Sequence, residues 1–217
     1  MVDRLLSIDM NDASATPAVQ RRRPTDDLLE ALLDAAETEF AARGFEGAST
    51  RSIAHQAGAH QPQINYHFTS KELLWQAVVD RLFSALDDAV DLSTDASPSA
   101  VMAEGLRRFV EFSARRPELN RIINLEATRD SSRLRWLVEV HLRPRFAATS
   151  GLWEQTLAEG RGADMSATEV WGLLTAFGAL RFANAPMVSM LEGSSSLDPR
   201  THADRLLGIL FPEEATR

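Results

Sequence analysis

Apolar residues from Thr25 onward recur at steps of three and four, which predicts an amphipathic helix over residues 25–43. The apolar stripe of this helix contains Leu28, Leu29, Leu32, Leu33, Ala36 and Phe40. The opposite face is expected to be polar and contains Asp26, Asp27, Glu30, Asp34, Glu37 and Glu39. Thr25 is a suitable N-cap, and Gly44 is expected to end the helix after Arg43.

The same spacing continues along the chain, and no segment alternates convincingly at the period of two that indicates a strand. We therefore expect an all-α protein. Pro144 lies inside one predicted helix, which should either kink there or form two helices. The further helices are predicted at about 50–57, 61–67, 70–92, 98–115, 117–129, 131–160, 166–191 and 198–211.

Two short helices and the turn between them, residues 50–68, meet the requirements of a helix-turn-helix. Ile53 is expected to face inward from the first helix, and Gly58 can take the positive φ that the turn requires. Ile64 and Phe68 are four residues apart and are expected to anchor the second helix to the core.

The polar residues that remain on the second helix suit the groove of a DNA duplex. Glutamine and asparagine can pair with adenine edges, whereas tyrosine, histidine and lysine can reach phosphates. Because a recognition helix of about two turns reads few bases, we expect a dimer on a two-fold related operator. The predicted DNA-binding residues are Arg21, Arg22, Arg23, Thr50, Arg51, Gln61, Pro62, Gln63, Asn65, Tyr66, His67 and Lys71.

The net charge of −8 over 217 residues does not by itself favour a DNA partner, because phosphate contacts need lysine and arginine. Basic residues are nevertheless concentrated at Arg21, Arg22 and Arg23, directly before the first helix. Residues 1–23 otherwise show no sustained period and are interpreted as a tail that ends in this basic arm. The arm is expected to enter a minor groove or to add salt-dependent attraction. A solvated tail is the alternative for such a cluster taken alone.

A resemblance to the N-terminal domain of the TetR family of regulators covers residues 25–75. It implies a DNA-binding domain over residues 24–72, followed by a ligand-binding and dimerisation domain over 73–217. The implied function is repression of transcription by a homodimer on a palindromic operator, relieved by a small organic ligand. The resemblance rests on Gly44-Phe45, Ser49-Thr50, Ile53-Ala54, Ala57-Gly58, Tyr66-His67-Phe68 and Ser70-Lys71-Glu72-Leu73. The turn Ala59-His60-Gln61-Pro62 departs from the commoner family pattern, so no operator sequence is implied.

A stripe of small residues in the segment 166–185 and the apolar face of the last helix are candidates for a dimer interface. Small side chains let helices approach closely, and the family resembled dimerises through its last helices. The alternative is ordinary packing within one protomer. The interface candidates are Gly172, Ala176, Ala179, Ala183, His202, Leu206, Ile209 and Leu210.

Bulky aromatic residues and isolated polar residues on the middle helices are candidates for an effector pocket. A buried structural pair is the alternative for the polar members. The pocket candidates are Phe109, Phe112, Glu126, Arg129, Trp136, His141, Phe177, Arg181 and Asn184.

The composition argues against catalysis. The chain has no cysteine, no Gly-x-Ser-x-Gly segment and neither a Glu-x-x-His nor a His-x-x-x-His segment. We expect no enzymatic activity, metal or cofactor. Apolar runs are too short for a membrane span and no signal peptide is recognisable, so a soluble cytoplasmic protein is expected. The alternative to a ligand-released repressor is a ligand-independent architectural DNA-binding protein, against which the long segment after the motif argues.

Overall fold

The computed structural model describes residues 24–91, 95–193 and 198–212. These residues form α-helices and two π-helical segments, Val138–Leu142 and Leu173–Ala179, and contain no strand. The predicted all-α fold class is confirmed. The α-helices are α1 (Pro24–Gly47), α2 (Thr50–Gln56), α3 (Gln61–Phe68), α4 (Lys71–Val90), α5 (Pro98–Arg115), α6 (Pro117–Glu126), α7 (Ser132–Leu137), α8 (Arg143–Ala158), α9 (Ala167–Gly172), α10 (Leu180–Ala183), α11 (Ala185–Glu192) and α12 (Pro199–Leu210). None of these helices is long and apolar enough to cross a membrane.

Gly44 interrupts α1 where the sequence predicts a stop. Its φ of 65° and ψ of 179° are non-helical, and the chain resumes a helical turn before Gly47. A residue with a Cβ atom is strained at this φ, so glycine permits the change of direction at low energetic cost.

The segment predicted over 131–160 stays helical from Ser132 to Ala158 and contains a π-helical stretch, Val138–Leu142, just before Pro144. In a regular α-helix the proline ring would clash with the carbonyl group four residues earlier. The Arg143 N–H instead donates to the Val138 carbonyl, five residues back. The wider π turn thus accommodates the proline within one helical run.

The prediction of an uninterrupted helix over 166–191 is wrong at Asn184, where φ is −99° and ψ is 24°. Pro186 explains the break, because in a continuous helix its ring would clash with the carbonyl group of Phe182, four residues earlier, and proline has no N–H to donate to that carbonyl. Proline is instead tolerated in the first turn of the new helix α11.

Two clusters of buried apolar side chains hold the fold together. The first joins α1, α2, α3 and α4 and also includes Phe112, Leu119, Ile122 and Leu137 from later helices. The second joins α5, α8, α9, the second π-helical segment and α12. Phe109 of α5 packs against both clusters. The first core therefore extends across the boundary proposed between residues 72 and 73, and that division of the chain stays a prediction.

Two glutamates of α1 are buried, contrary to the prediction that they lie on its polar face. Glu37 is 7% exposed and Glu39 is 3% exposed. The Glu37 carboxylate accepts hydrogen bonds from Arg81 of α4 at 2.7 Å and from Arg116, between α5 and α6, at 2.8 Å. Arg81 also donates to Asp34 at 2.7 Å. A helical pattern alone cannot identify these partners, because they lie 44 and 79 residues away in sequence.

Glu37→Ala removes the carboxylate that two guanidinium groups share. We expect the free energy of unfolding to fall by about 2–3 kcal/mol, at or below the low end for a broken buried pair, because both arginines are partly exposed. Urea denaturation measures this change, with Asp88→Ala on the exposed side of α4 as the control. Equal midpoints for the two variants would contradict the role assigned to Glu37.

Candidate nucleic-acid interface and internal cavity

Helices α2 and α3 form the predicted helix-turn-helix. The side chains of Ile53, Ile64 and Phe68 are buried, which confirms the predicted anchors. Gly58 takes a φ of 65° in the turn, as the sequence predicts. The following residue, Ala59, returns its N–H to the Ala54 carbonyl at 2.8 Å and closes the turn. The angle between the two short helices is therefore held by backbone hydrogen bonds and by a common core.

The buried carboxylate of Glu39 positions α2 against α1. It accepts hydrogen bonds from the Ser49 backbone N–H, the Ser52 hydroxyl and the Gln56 side-chain amide, each at 3.2 Å. Arg43, one turn along α1, lies 3.6 Å from the same carboxylate. The helical pattern did not predict that Glu39 accepts hydrogen bonds from α2, because it places Glu39 on the solvated face of α1. The nearby serines and glutamine of α2 were the available signal.

The exposed residues of α2 and α3 form one polar surface, which we call the α2–α3 face. Among the predicted DNA-binding residues, Arg51, Gln61, Pro62, Asn65 and Tyr66 are exposed on it. Tyr66 is 82% exposed, which is unusual for an aromatic side chain. The half-buried Thr50 hydroxyl accepts a hydrogen bond from the Gln61 amide at 3.3 Å, which links the N-termini of the two helices.

Three other predicted DNA-binding residues are partly occupied by contacts within the protein. The Gln63 side-chain oxygen accepts the His60 backbone N–H at 2.7 Å and so caps α3. His67 is half-buried, with its ring centroid 5.1 Å from that of Tyr66. The Lys71 ammonium lies 4.6 Å from the centre of the Phe45 ring. The arm Arg21, Arg22 and Arg23 lies outside the described residues, and all of these DNA contacts stay predictions.

A strained residue joins the recognition helix to α4. Thr69 has a φ of 60°, a conformation that β-branched residues rarely adopt. Ser70 follows it, and the Ser70 hydroxyl accepts the Leu73 N–H at 3.1 Å to cap α4. Thr69 and Ser70 are the only residues between α3 and α4, so their backbone conformations set the angle between the two helices.

A cavity of about 370 Å³ lies between α4, α5, α8, α9 and the second π-helical segment. Its walls are mainly aliphatic and aromatic, with Phe109 and Trp171 among them. Arg145 and Asp87 are the charged residues of its lining. The size and the apolar lining are typical of a small-molecule site.

Phe109 is the pocket candidate that lines this cavity. Phe112 is buried in the first core. The His141 ring stacks on Phe83 at 4.4 Å and contacts Trp136 at 5.0 Å, while its Nε2 lies 2.8 Å from Asp80. Burial lowers the pKa of His141, although the Asp80 carboxylate opposes this shift.

The remaining pocket candidates take part in other contacts or are exposed. Buried Glu126 accepts hydrogen bonds from the Ser131 hydroxyl and from Arg133, whose Nη2 also lies 3.0 Å from Glu46 of α1. Arg129 is exposed. The other three are placed as follows: Arg181 pairs with Glu192 at 3.0 Å, Asn184 ends α10, and Phe177 stacks on His202 at 4.5 Å.

The dimer-interface candidates divide into two groups by burial. Gly172, Ala176 and Ile209 are exposed. The other five are buried within the protomer, namely Ala179, Ala183, His202, Leu206 and Leu210. His202 hydrogen-bonds to the Phe177 carbonyl at 2.7 Å, and burial lowers the pKa of this histidine. The pattern of small residues thus does not separate packing inside a protomer from packing between protomers.

The structure thus combines an N-terminal helix-turn-helix, which presents the α2–α3 face, with a cavity among the later helices. The model of bacterial regulatory proteins of the tetR family matches residues 32–78, which contain α2, α3 and the start of α4. The helix-turn-helix segment of this chain is thus similar to that of the tetR family.

Similar proteins and structures extend the comparison. The HTH-type transcriptional regulator RutR of Escherichia coli (strain K12) is 29% identical over 118 residues, which cover 54% of this chain and only 56% of RutR. The nucleoid occlusion factor SlmA of Shewanella sp. (strain W3-18-1) is 24% identical over 195 residues, covering 88% of this chain and 93% of SlmA. The crystal structure of AibR in complex with isovaleryl coenzyme A and operator DNA has a TM-score of 0.70 at 18% identity and covers 85% of this chain and 98% of that one.

Glu39→Ala leaves three donors of α2 and its N-cap without their acceptor. We expect the free energy of unfolding to fall by about 2–3 kcal/mol, since hydrogen bonds to a buried charge are stronger than neutral ones. Glu39→Gln, which keeps one acceptor oxygen, should lose less. Thermal and urea denaturation compare the two variants, and an unchanged stability for Glu39→Ala would disprove the bracing role.

Proposed function

We propose that the protein is a dimeric transcriptional repressor, which binds a palindromic DNA operator and is released from it by a small organic ligand. The observation that carries this proposal is the course of α4. Only two residues separate the start of this helix from the end of the recognition helix α3. Near its other end, Leu86, Asp87 and Val90 line the cavity.

The α2–α3 face supports DNA as the partner. It presents a guanidinium, side-chain amides and a phenol, which are groups that read base edges and bind phosphates. Its apolar residues point inward, so the polar side chains can enter a groove without exposing the core. A cytoplasmic location follows from this function and is proposed with it.

Helix α11 supports a second copy of the chain as the protein partner. None of its residues is buried, yet Met187, Met190 and Leu191 form one apolar face, with Met190 and Leu191 86% and 78% exposed. A helix of two turns does not gain stability alone in water, so burial of this face is expected to come from outside the protomer. A second copy of the chain can bury this face. It also supplies the second recognition helix that specific binding to a two-fold operator needs.

The continuous path of α4 supports release by a ligand. A ligand in the cavity contacts the end of α4, and a tilt of this helix moves α3. Since the spacing of two half-sites is set by the DNA helical repeat, a small displacement of the two recognition helices loses contacts.

A ligand-independent architectural protein is the second candidate, because the similarity to the nucleoid occlusion factor SlmA extends over most of both chains. The cavity favours the ligand-released repressor, since DNA attachment alone needs no apolar cavity.

Selection of bound sequences from random DNA, followed by mobility shift, tests the DNA function. We expect enrichment of an inverted repeat, and Arg51→Ala should weaken its binding at least about tenfold because one groove or phosphate contact is lost in each half-site. Arg135→Ala is the control, because this exposed arginine lies on α7, outside the α2–α3 face. Recovery of no enriched sequence, or equal binding by both variants, would refute the assignment.

Met190→Glu should convert the dimer to monomers, because a carboxylate cannot be buried in an apolar contact without a partner. Leu157→Glu is the control on α8: this leucine is 38% exposed, less than the 86% of Met190, and it lies outside α11. Sedimentation velocity at several concentrations measures the mass of each variant. A dimeric Met190→Glu, or a monomeric unmodified chain, would rule out α11 as the interface.

A further inference from the structure

The cavity contains one preorganised charged pair. The Arg145 guanidinium donates through Nε to Asp87 at 3.0 Å and through Nη2 to the second oxygen of the same carboxylate. Its Nη1 donates to the His141 carbonyl at 2.7 Å, and its Cζ lies 4.4 Å from the centre of the Phe83 ring. Four contacts therefore fix this side chain before any ligand binds.

The pair restricts the charge of a ligand. A ligand carboxylate that approached Arg145 would also approach the Asp87 carboxylate, and a ligand ammonium that approached Asp87 would also approach Arg145. Since each charge is already neutralised by its neighbour, neither ion gains enough to offset the loss of its own hydration. An uncharged acceptor oxygen avoids both penalties.

Arg145 retains donors for such an oxygen. A guanidinium carries five N–H groups, and the contacts above use three of them. The Asp87 side chain is 56% exposed and that of Arg145 is 24% exposed, so the pair lies toward the solvent side of the cavity. Beyond it the walls are largely apolar, with Leu106, Leu152 and Leu174 among them, and Thr149 and Thr175 add two hydroxyl-bearing side chains.

We propose that this cavity binds an uncharged, largely apolar small molecule with a carbonyl or similar acceptor oxygen, which accepts from Arg145 while the apolar part fills the cavity between α5 and α9. The inference rests on the proposed function, whose effector it assigns to a chemical class. Asp87 acts as the specificity-determining residue, because its charge excludes anionic analogues of the same shape.

Three probes with one carbon skeleton test this inference, namely 4-(2-naphthyl)butan-2-one, the corresponding butanoate and the corresponding butylammonium. Isothermal titration calorimetry on the full chain without DNA measures their affinities. We expect the ketone to bind at least about tenfold more tightly than either ion. Equal or tighter binding of an ion, or no binding of any of the three probes, overturns the proposal.

Two variants and one control show which residues determine the affinity of each probe. Asp87→Asn keeps the shape but removes the charge, so it should tighten binding of the butanoate at least about tenfold and change that of the ketone little. Ala148→Trp places a bulky ring in the cavity lining and should abolish ketone binding. Ala147→Trp should not, because the adjacent alanine is exposed like Ala148 but lies outside the lining. Unchanged butanoate affinity in Asp87→Asn, or equal ketone binding by the two tryptophan variants, contradicts the assignment.

A final mobility-shift experiment separates the ligand class from the proposed function. The ketone is added to the complex of the chain with its selected DNA. Release of the DNA supports both proposals. Binding of the ketone without release supports the ligand class and contradicts the release step of the proposed function.

Discussion

Helix α4 is the element on which the other parts of the molecule depend. Its side chains from Leu74 to Leu86 supply seven buried residues to the first core, so the helix cannot separate from α1 without exposing that core. At 1.5 Å per residue, its 20 residues span about 30 Å, which is the distance from the helix-turn-helix to the cavity along the chain. A packed helix of this length transmits a displacement at one end to the other, because close-packed interiors compress little.

Polar contacts restrict how the first helices can move on the rest of the protein. The carboxylate of Glu37 holds α1 to Arg81 of α4 and to Arg116 between α5 and α6. A second contact joins the end of α1 to α7, where the Arg133 guanidinium pairs with Glu46 and lies 3.7 Å from the centre of the Phe45 ring. Since α1 packs against both α6 and α2, a change at the cavity is expected to move α1, α2 and α3 together.

The negative net charge of the chain does not prevent basic or neutral sites on parts of its surface. Several acidic residues of α1 and α4 pair with arginines, such as Asp87 with Arg145 and Asp34 with Arg81. Arg51 on the α2–α3 face is exposed instead. The distribution of charge over the surface therefore matters more for the choice of partner than the net value of −8.

The amino-acid sequence by itself determined the all-α class, the helix-turn-helix and its turn at Gly58, because these depend on local periodicity and on backbone conformations that few residues adopt. Only the tertiary structure decided which polar side chains are buried. Glu39 has the local pattern of a surface residue, and its three donors come from the next helix. The charged pair of the cavity likewise appears only in the tertiary structure, since Asp87 and Arg145 are 58 residues apart in sequence. Burial is a property of how helices pack, and helical spacing specifies a face without specifying its neighbour.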